Sequence, residues 1–186
     1  MKKFKFIKLP LKGAYVIEPK PILDQRGFFE RLFCQEEFSQ LGFAKKIVQI
    51  NYTLTKKDGI IRGLHLQKAP FLEAKIVTCL QGEIFDCMVD LRKGSPTFLK
   101  WHAEILSEKN HRMLYIPEGF AHGLQTLSPN CGVLYFHSNF YHQPSEERIR
   151  YDDPKIRIKW PGKIRVISPK DKINPYLKDN FQGFNI

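Results

Sequence analysis

KIVTCLQGEIFDCMVDLRKGSPTF, residues 75–98, decides the fold class. Two short runs rich in Val, Ile, Phe and Thr are parted by Gln-Gly-Glu (81–83) and closed by Arg-Lys-Gly-Ser-Pro-Thr (92–97). Apolar β-branched and aromatic runs punctuated by Gly, Pro and Ser read as strands joined by tight turns. The same rhythm continues on both sides, with turn chemistry at KKDG (56–59), SEKN (107–110), PEG (117–119) and SPN (128–130). Short strands at this spacing predict a sandwich or barrel. Helical periodicity is confined to QEEFSQL (35–41), just before Gly42. From Pro161 onward the alternation is lost, which predicts a tail wrapping over the barrel. With no repeat and no linker, residues 1–186 read as a single domain: an all-β jelly-roll barrel with one short helix and an irregular C-terminal tail.

Composition supports a globular chain and narrows its partners. Hydrophobic residues make up 42% and aromatics 13%, enough for a core without disulfide or metal staples. The net charge of +11 is spread along the chain, with no basic block of the kind a nucleic-acid arm shows. Such a field could steer an anionic ligand such as a nucleotide diphosphate, or simply be a basic surface. Cys34, Cys79, Cys87 and Cys131 form no C-x-x-C pair, and the apolar flanks of Cys79 and Cys87 suit reduced, buried thiols. Lysines and a proline interrupt MKKFKFIKLPLKG, and no 18-residue apolar run follows, so a cytoplasmic protein with no membrane contact is expected.

Several polar residues sit where strands prefer apolar ones. In IIRGLHLQ (60–67), regular alternation sends Arg62 and His65 to opposite faces and puts His65 with Gln67, unless Gly63 marks a bulge that re-aims one of them. In LYFHSNFYH (134–142), period two puts Tyr135, His137, Asn139 and Tyr141 on one face, a polar-aromatic lining opposite Leu134, Phe136 and Phe140. That face suits a ligand-holding barrel or a solvated edge strand. Lys75 opens an apolar run, where a charge needs a partner, and IPEGFAHG (116–123) sets His122 on a Gly-rich turn. A cupin metal site wants H-x-H; here the stretch is His65-Leu66-Gln67, and Glu73 and His122 complete only a thin ligand set, so no metal is expected. No G-x-S-x-G, H-E-x-x-H, P-loop or G-x-G-x-x-G is present.

Taken in order, DQRGFF (24–29), QINYT (49–53), IIRGLHLQ (60–67), the stretch 74–98, YIPEGFAHG (115–123), LYFHSNFY (134–141), YDDP (151–154) and SPKD (168–171) resemble the dTDP-4-dehydrorhamnose 3,5-epimerase family of the cupin superfamily. The resemblance implies a cofactor-free epimerase of a nucleotide-diphospho-4-keto-6-deoxy sugar, serving polysaccharide assembly such as O-antigen. By it, His65 is the base, Asp171 its carboxylate partner and Tyr135 the acid on the opposite face, with Lys75 and His122 around the ketone oxygen. Arg62 and Arg26 would hold the diphosphate, with Arg26 reaching into the neighbouring subunit of a homodimer. Phe29, Gln49 and Asn51 would line the nucleotide, and Tyr141 would lie beside the ligand.

The chain also departs from the family pattern. R-G-x-F-x-E becomes Arg26-Gly27-Phe28-Phe29-Glu30-Arg31, placing Arg31 where a carboxylate would accept from thymine. An Arg donates only, which suits the acceptor edge of cytosine; alternatively Arg31 faces solvent and Glu30 serves. Thr78 and Phe136 replace the Arg and Lys frequent in the family, which bears on the sugar and on whether C3, C5 or both are inverted. Other readings are a nucleotide-sugar ketoisomerase of the same fold, a metal-dependent cupin dioxygenase, or a non-catalytic sugar- or nucleic-acid-binding module.

Overall fold

Side chains alternate along the strands and assign each residue to one of two stacked sheets. The computed structural model describes residues 3–39 and 45–186. In chain order the strands are β1 (Phe4–Lys8), β2 (Tyr15–Pro19), β3 (Ile22–Asp24), β4 (Gly27–Phe29), β5 (Gln49–Thr55), β6 (Ile60–Gln67) and β7 (Lys75–Gln81). They continue as β8 (Glu83–Asp90), β9 (Trp101–Ser107), β10 (Met113–Ile116), β11 (Phe120–Thr126), β12 (Cys131–His137), β13 (Glu146–Arg148) and β14 (Val166–Ile167). Among the described residues there are also two short α-helices, α1 (Gln35–Phe38) and α2 (Pro169–Lys172), and a 3-10 turn at Gln143–Ser145. Of the expected helix, residues 35–38 are helical, while Leu41 and Gly42 lie outside the described residues.

One sheet has six strands in the order β1-β2-β10-β7-β12-β5; the other has five, β13-β6-β11-β8-β9, with β14 added in parallel beside β6. The jelly roll is therefore two facing sheets, not one hydrogen-bonded ring. Inward residues such as Val77, Leu114, Ile84, Met88, Leu106 and Leu124 form the core between them. The outer face of the six-stranded sheet is covered by the segment around α1, where Phe38 packs edge-on against Phe4. The outer face of the five-stranded sheet buries Leu64, Leu66, Cys87 and Val89 beneath the C-terminal region, including Ile156 and Trp160.

That tail is more regular than its sequence suggests. It contributes β14 and then α2, whose Ser168 caps by accepting from the Asp171 backbone N–H. Cys79, Cys87 and Cys131 are buried free thiols, and Cys34 is half-buried. No helix among the described residues is long and apolar enough to cross a membrane.

Candidate active site

With one end of the inter-sheet space filled by core, the other end holds a cavity of about 550 Å³. β6 forms one wall, and its geometry resolves the conflict over Arg62 and His65. Opposite β6, His122 pairs with His65 while the next residue, Gly123, pairs with Gly63, so Leu64 is an extra residue on β6. The bulge sends Leu64 and Leu66 to the outer core and lets Arg62 and His65, three apart, both line the cavity. Gly63 adopts φ +114, and a Cβ there would lie 2.6 Å from the His122 carbonyl oxygen, so only glycine makes this turn.

His65 Nε2 lies 2.7 Å from Asp171 Oδ1. The carboxylate can only accept, so Nε2 carries the proton and Nδ1 keeps its lone pair. Asp171 is buried, which raises its pKa, but the His65 contact, with help from Ser168, outweighs burial and holds it below the usual carboxylate range. A second dyad stands beside the first: His122 Nε2 contacts buried Asp86 Oδ1 at 2.7 Å. His122 lies within β11 and not on a turn; the turn is Pro117–Gly119, two residues before the histidine's neighbour Ala121.

The facing wall comes from β12, β7 and β5. Tyr135 and His137 alternate inward with ring centroids 6.2 Å apart, while Leu134 and Phe136 pack outward. Burial pushes the Tyr135 phenol up to about 12, with the Thr53 hydroxyl offsetting part of the rise. β12 lies between β7 and β5, so it is not an edge strand. It ends at His137, and the inward face predicted to continue through Asn139 and Tyr141 does not. The Asn139 amide donates to the Leu72 carbonyl, and Tyr141 is largely exposed, bordering a smaller side cavity of about 130 Å³. Gln49 borders the same side cavity, and Asn51 lines both.

Lys75 has the partner its burial demands. Its Nζ lies 3.0 Å from Glu73 Oε1, and Glu73 Oε2 lies 2.8 Å from His137 Nδ1. Burial would raise the Glu73 pKa, but the Lys75 charge and the His137 contact bring it down to about 2. Gln67 lies with His65 on the wall of the side cavity, not of the main one. Its amide donates to the Phe71 and Phe140 carbonyls and accepts from the His142 N–H, tying two loops together.

Arg62, Arg148 and Lys170 bring positive charge to the cavity wall. The residues from 26 to 31 do not join them. Arg26 and Phe29 sit on the exposed β3–β4 hairpin, where Arg26 folds back on Asp24. Glu30 turns inward toward His111, and the Arg31 guanidinium donates to Glu37 at 3.0 Å. Thr78 and Phe136 also lie off the cavity: Thr78 donates to the Arg112 carbonyl and Phe136 stacks on Phe33. Asp86, Glu73, His137 and Arg148 were absent from the expected site. Of these, His137 carries a sequence signal in its period-two relation to Tyr135, and Glu73 one as a candidate metal ligand. Among the described residues, no three His, Cys, Asp or Glu side chains converge as a metal-ligand set.

A family model described as dTDP-4-dehydrorhamnose 3,5-epimerase matches residues 8–179. An enzyme of that name from Shigella flexneri is 43% identical over 89% of this chain and 91% of its own length. One from Methanothermobacter thermautotrophicus is 41% identical over 97% and 98%. The crystal structure of a dTDP-6-deoxy-D-glucose-3,5-epimerase from Legionella pneumophila, in complex with dTDP-4-keto-L-rhamnose, superposes with a TM-score of 0.92 at 38% identity, covering 98% of each chain.

Proposed function

The chain belongs to the dTDP-4-dehydrorhamnose 3,5-epimerase family and is an isomerase-class epimerase; we propose that it inverts the carbons flanking the ketone of a dTDP-linked 4-keto-6-deoxy sugar by direct proton transfer. The observation that carries this reading is the placement of His65 and Tyr135 on opposite sheets, lining one cavity. Epimerisation takes a proton from one face of a ring and returns one to the other, so base and acid must flank the substrate.

His65 Nδ1 takes the proton from C3 or C5 while the C–H electron pair moves onto the ketone oxygen. Asp171 holds the imidazole tautomer and stabilises the imidazolium. The Lys75 ammonium, with His122 beside it, offsets the enolate charge, whose build-up dominates the barrier to abstraction next to a carbonyl. Tyr135 then protonates the carbon from the far face. A phenol at about 12 stays protonated at neutral pH and still gives its proton to an enolate carbon. The ketone is the electron sink, so the step balances without a redox cofactor or metal.

The cationic wall formed by Arg62, Arg148 and Lys170 suits the diphosphate. The nucleotide end requires a second copy of the chain. β5 is a sheet edge whose Ile50, Tyr52 and Leu54 stand exposed, and the nearby hairpin exposes Leu23, Phe28 and Phe29. A homodimer covers these apolar side chains and carries Arg26 and Phe29 of each copy to the other's cavity. With Arg31 engaged by Glu37, the base is thymine, in keeping with the relatives' names. The cavity and charge also fit a cytoplasmic enzyme acting on free nucleotide sugars.

Proton NMR of dTDP- and CDP-linked 4-keto-6-deoxy sugars in heavy water tests the proposal. Deuterium entering C3 and C5 of the dTDP sugar, with inversion, is the expected result, and Tyr135→Phe loses inversion more than exchange. No exchange with any member would return the chain to an isomerase or a binding module.

A further inference from the structure

Asn51, His65, Lys75 and His137 line both the main cavity and the smaller side cavity, so they form the ridge where the two meet. Two of these four are the base and the ketone-facing cation of the proposed reaction. His137 has no part in that proton transfer, yet it is held as firmly as the others. It pairs in register with Lys75 on one side and Gln49 on the other, and the Glu73 carboxylate grips both Lys75 Nζ and His137 Nδ1.

That grip determines what His137 offers to a ligand. Glu73 is an acceptor, so Nδ1 carries a proton and donates to it, and Nε2 is the ring nitrogen that faces the Asn51 amide. Its 3.3 Å neighbour is the Asn51 amide nitrogen, a donor. That amide already meets the one lone pair, but at the long end of the hydrogen-bond range, so at the ridge shared with His65 and Lys75 a hydroxyl can displace it and donate to Nε2 in its place. Resting on the epimerase function proposed for this cavity, we propose that His137 is a specificity-determining residue that accepts a hydrogen bond from a ring hydroxyl of the sugar, and that Glu73 is the positioning residue that sets its tautomer. In a 4-keto-6-deoxy hexose linked through C1, the ring hydroxyls are those at C2 and C3.

The test uses binding to non-reacting ligands, so it does not depend on turnover. dTDP-6-deoxyglucose and its 2-deoxy and 3-deoxy counterparts are titrated calorimetrically into the wild type, His137→Leu and Glu73→Gln. For the parent ligand, His137→Leu weakens binding about tenfold, the scale of one lost hydrogen bond. For one of the two deoxy ligands, the same substitution has little further effect, because the partner hydroxyl is already gone. Glu73→Gln, which keeps the shape but frees the tautomer, shows the same coupling in weaker form, and nitrogen NMR of the imidazole shows the Nδ1–H form in the wild type only. Equal losses from His137→Leu for all three ligands would overturn the proposal. Deuterium exchange into the 4-keto sugar by the wild type separately shows whether the epimerase reading stands.

Discussion

The His65–Asp171 dyad and the β3–β4 hairpin stand at opposite extremes of packing. His65 comes from a central strand of a five-stranded sheet and Asp171 from a helix strapped against it, and the carboxylate side chain is only 7% exposed. On the hairpin, Leu23 is 76% and Phe29 64% exposed, and Arg26 has only its own neighbour Asp24 as a partner. The dyad is fully assembled within one chain, while the hairpin meets its own chain through Phe28, edge-on against His111, and leaves Leu23 and Phe29 exposed. The difference teaches that the His65–Asp171 end of the cavity is preorganised by folding, whereas the proposed nucleotide end would draw on a second copy of the chain.

Breaking the preorganised end has the largest expected effect. His65→Ala lowers deuterium exchange into the keto sugar by about 10³-fold, the scale for loss of a positioned general base. Exchange at the wild-type rate would remove His65 from that role. Next comes Gly63→Ala, which forces a Cβ toward the His122 carbonyl and a strained φ, costing about 2 kcal/mol or more. A lowered melting temperature together with lost activity is expected; an unchanged one would mean that the bulge tolerates a side chain. Arg26→Ala sharpens the other side of the comparison. It leaves the melting temperature alone and raises KM about tenfold, as one charged contact to a phosphate warrants. An unchanged KM in the assembled enzyme would take the hairpin out of the site.

The smallest effect is on acid stability. The Glu73 carboxyl lies at about 2 in the fold against an ordinary 4.5, so it contributes stability that is fully present above 4.5 and lost as pH falls toward 2. Asp171, also lowered, acts in the same sense. Denaturation followed from pH 5 downward is expected to show a shallower acid limb in Glu73→Gln than in the wild type.

What could be read beforehand depended on whether a residue violated the rule of its own strand. Lys75 in an apolar run, and Arg62 and His65 around a glycine, announce themselves because a strand gives them no reason to be there. Asp86 does not, because its reason is His122, 36 positions away, and an aspartate within FDCMVD names no partner. Glu73 reads as a stray ligand until β7 and β12 lie side by side, for only then does one carboxylate reach both Lys75 and His137. Period two carried the reading of β12 correctly to His137 and failed at Asn139, since periodicity does not reveal where a strand stops. Arg26 and Phe29 lie on an exposed hairpin off the cavity, so the fold of a single copy does not bring them into the proposed site.

The separation of 106 positions between His65 and Asp171 has a kinetic consequence. The β1–β2 and β8–β9 hairpins close short loops and order early, whereas this contact must wait for the tail to dock on a sheet already formed. A refolding chain therefore passes through a stage with its strands paired and its base without a carboxylate. After dilution from denaturant, the return of activity trails the return of the strand signal in circular dichroism.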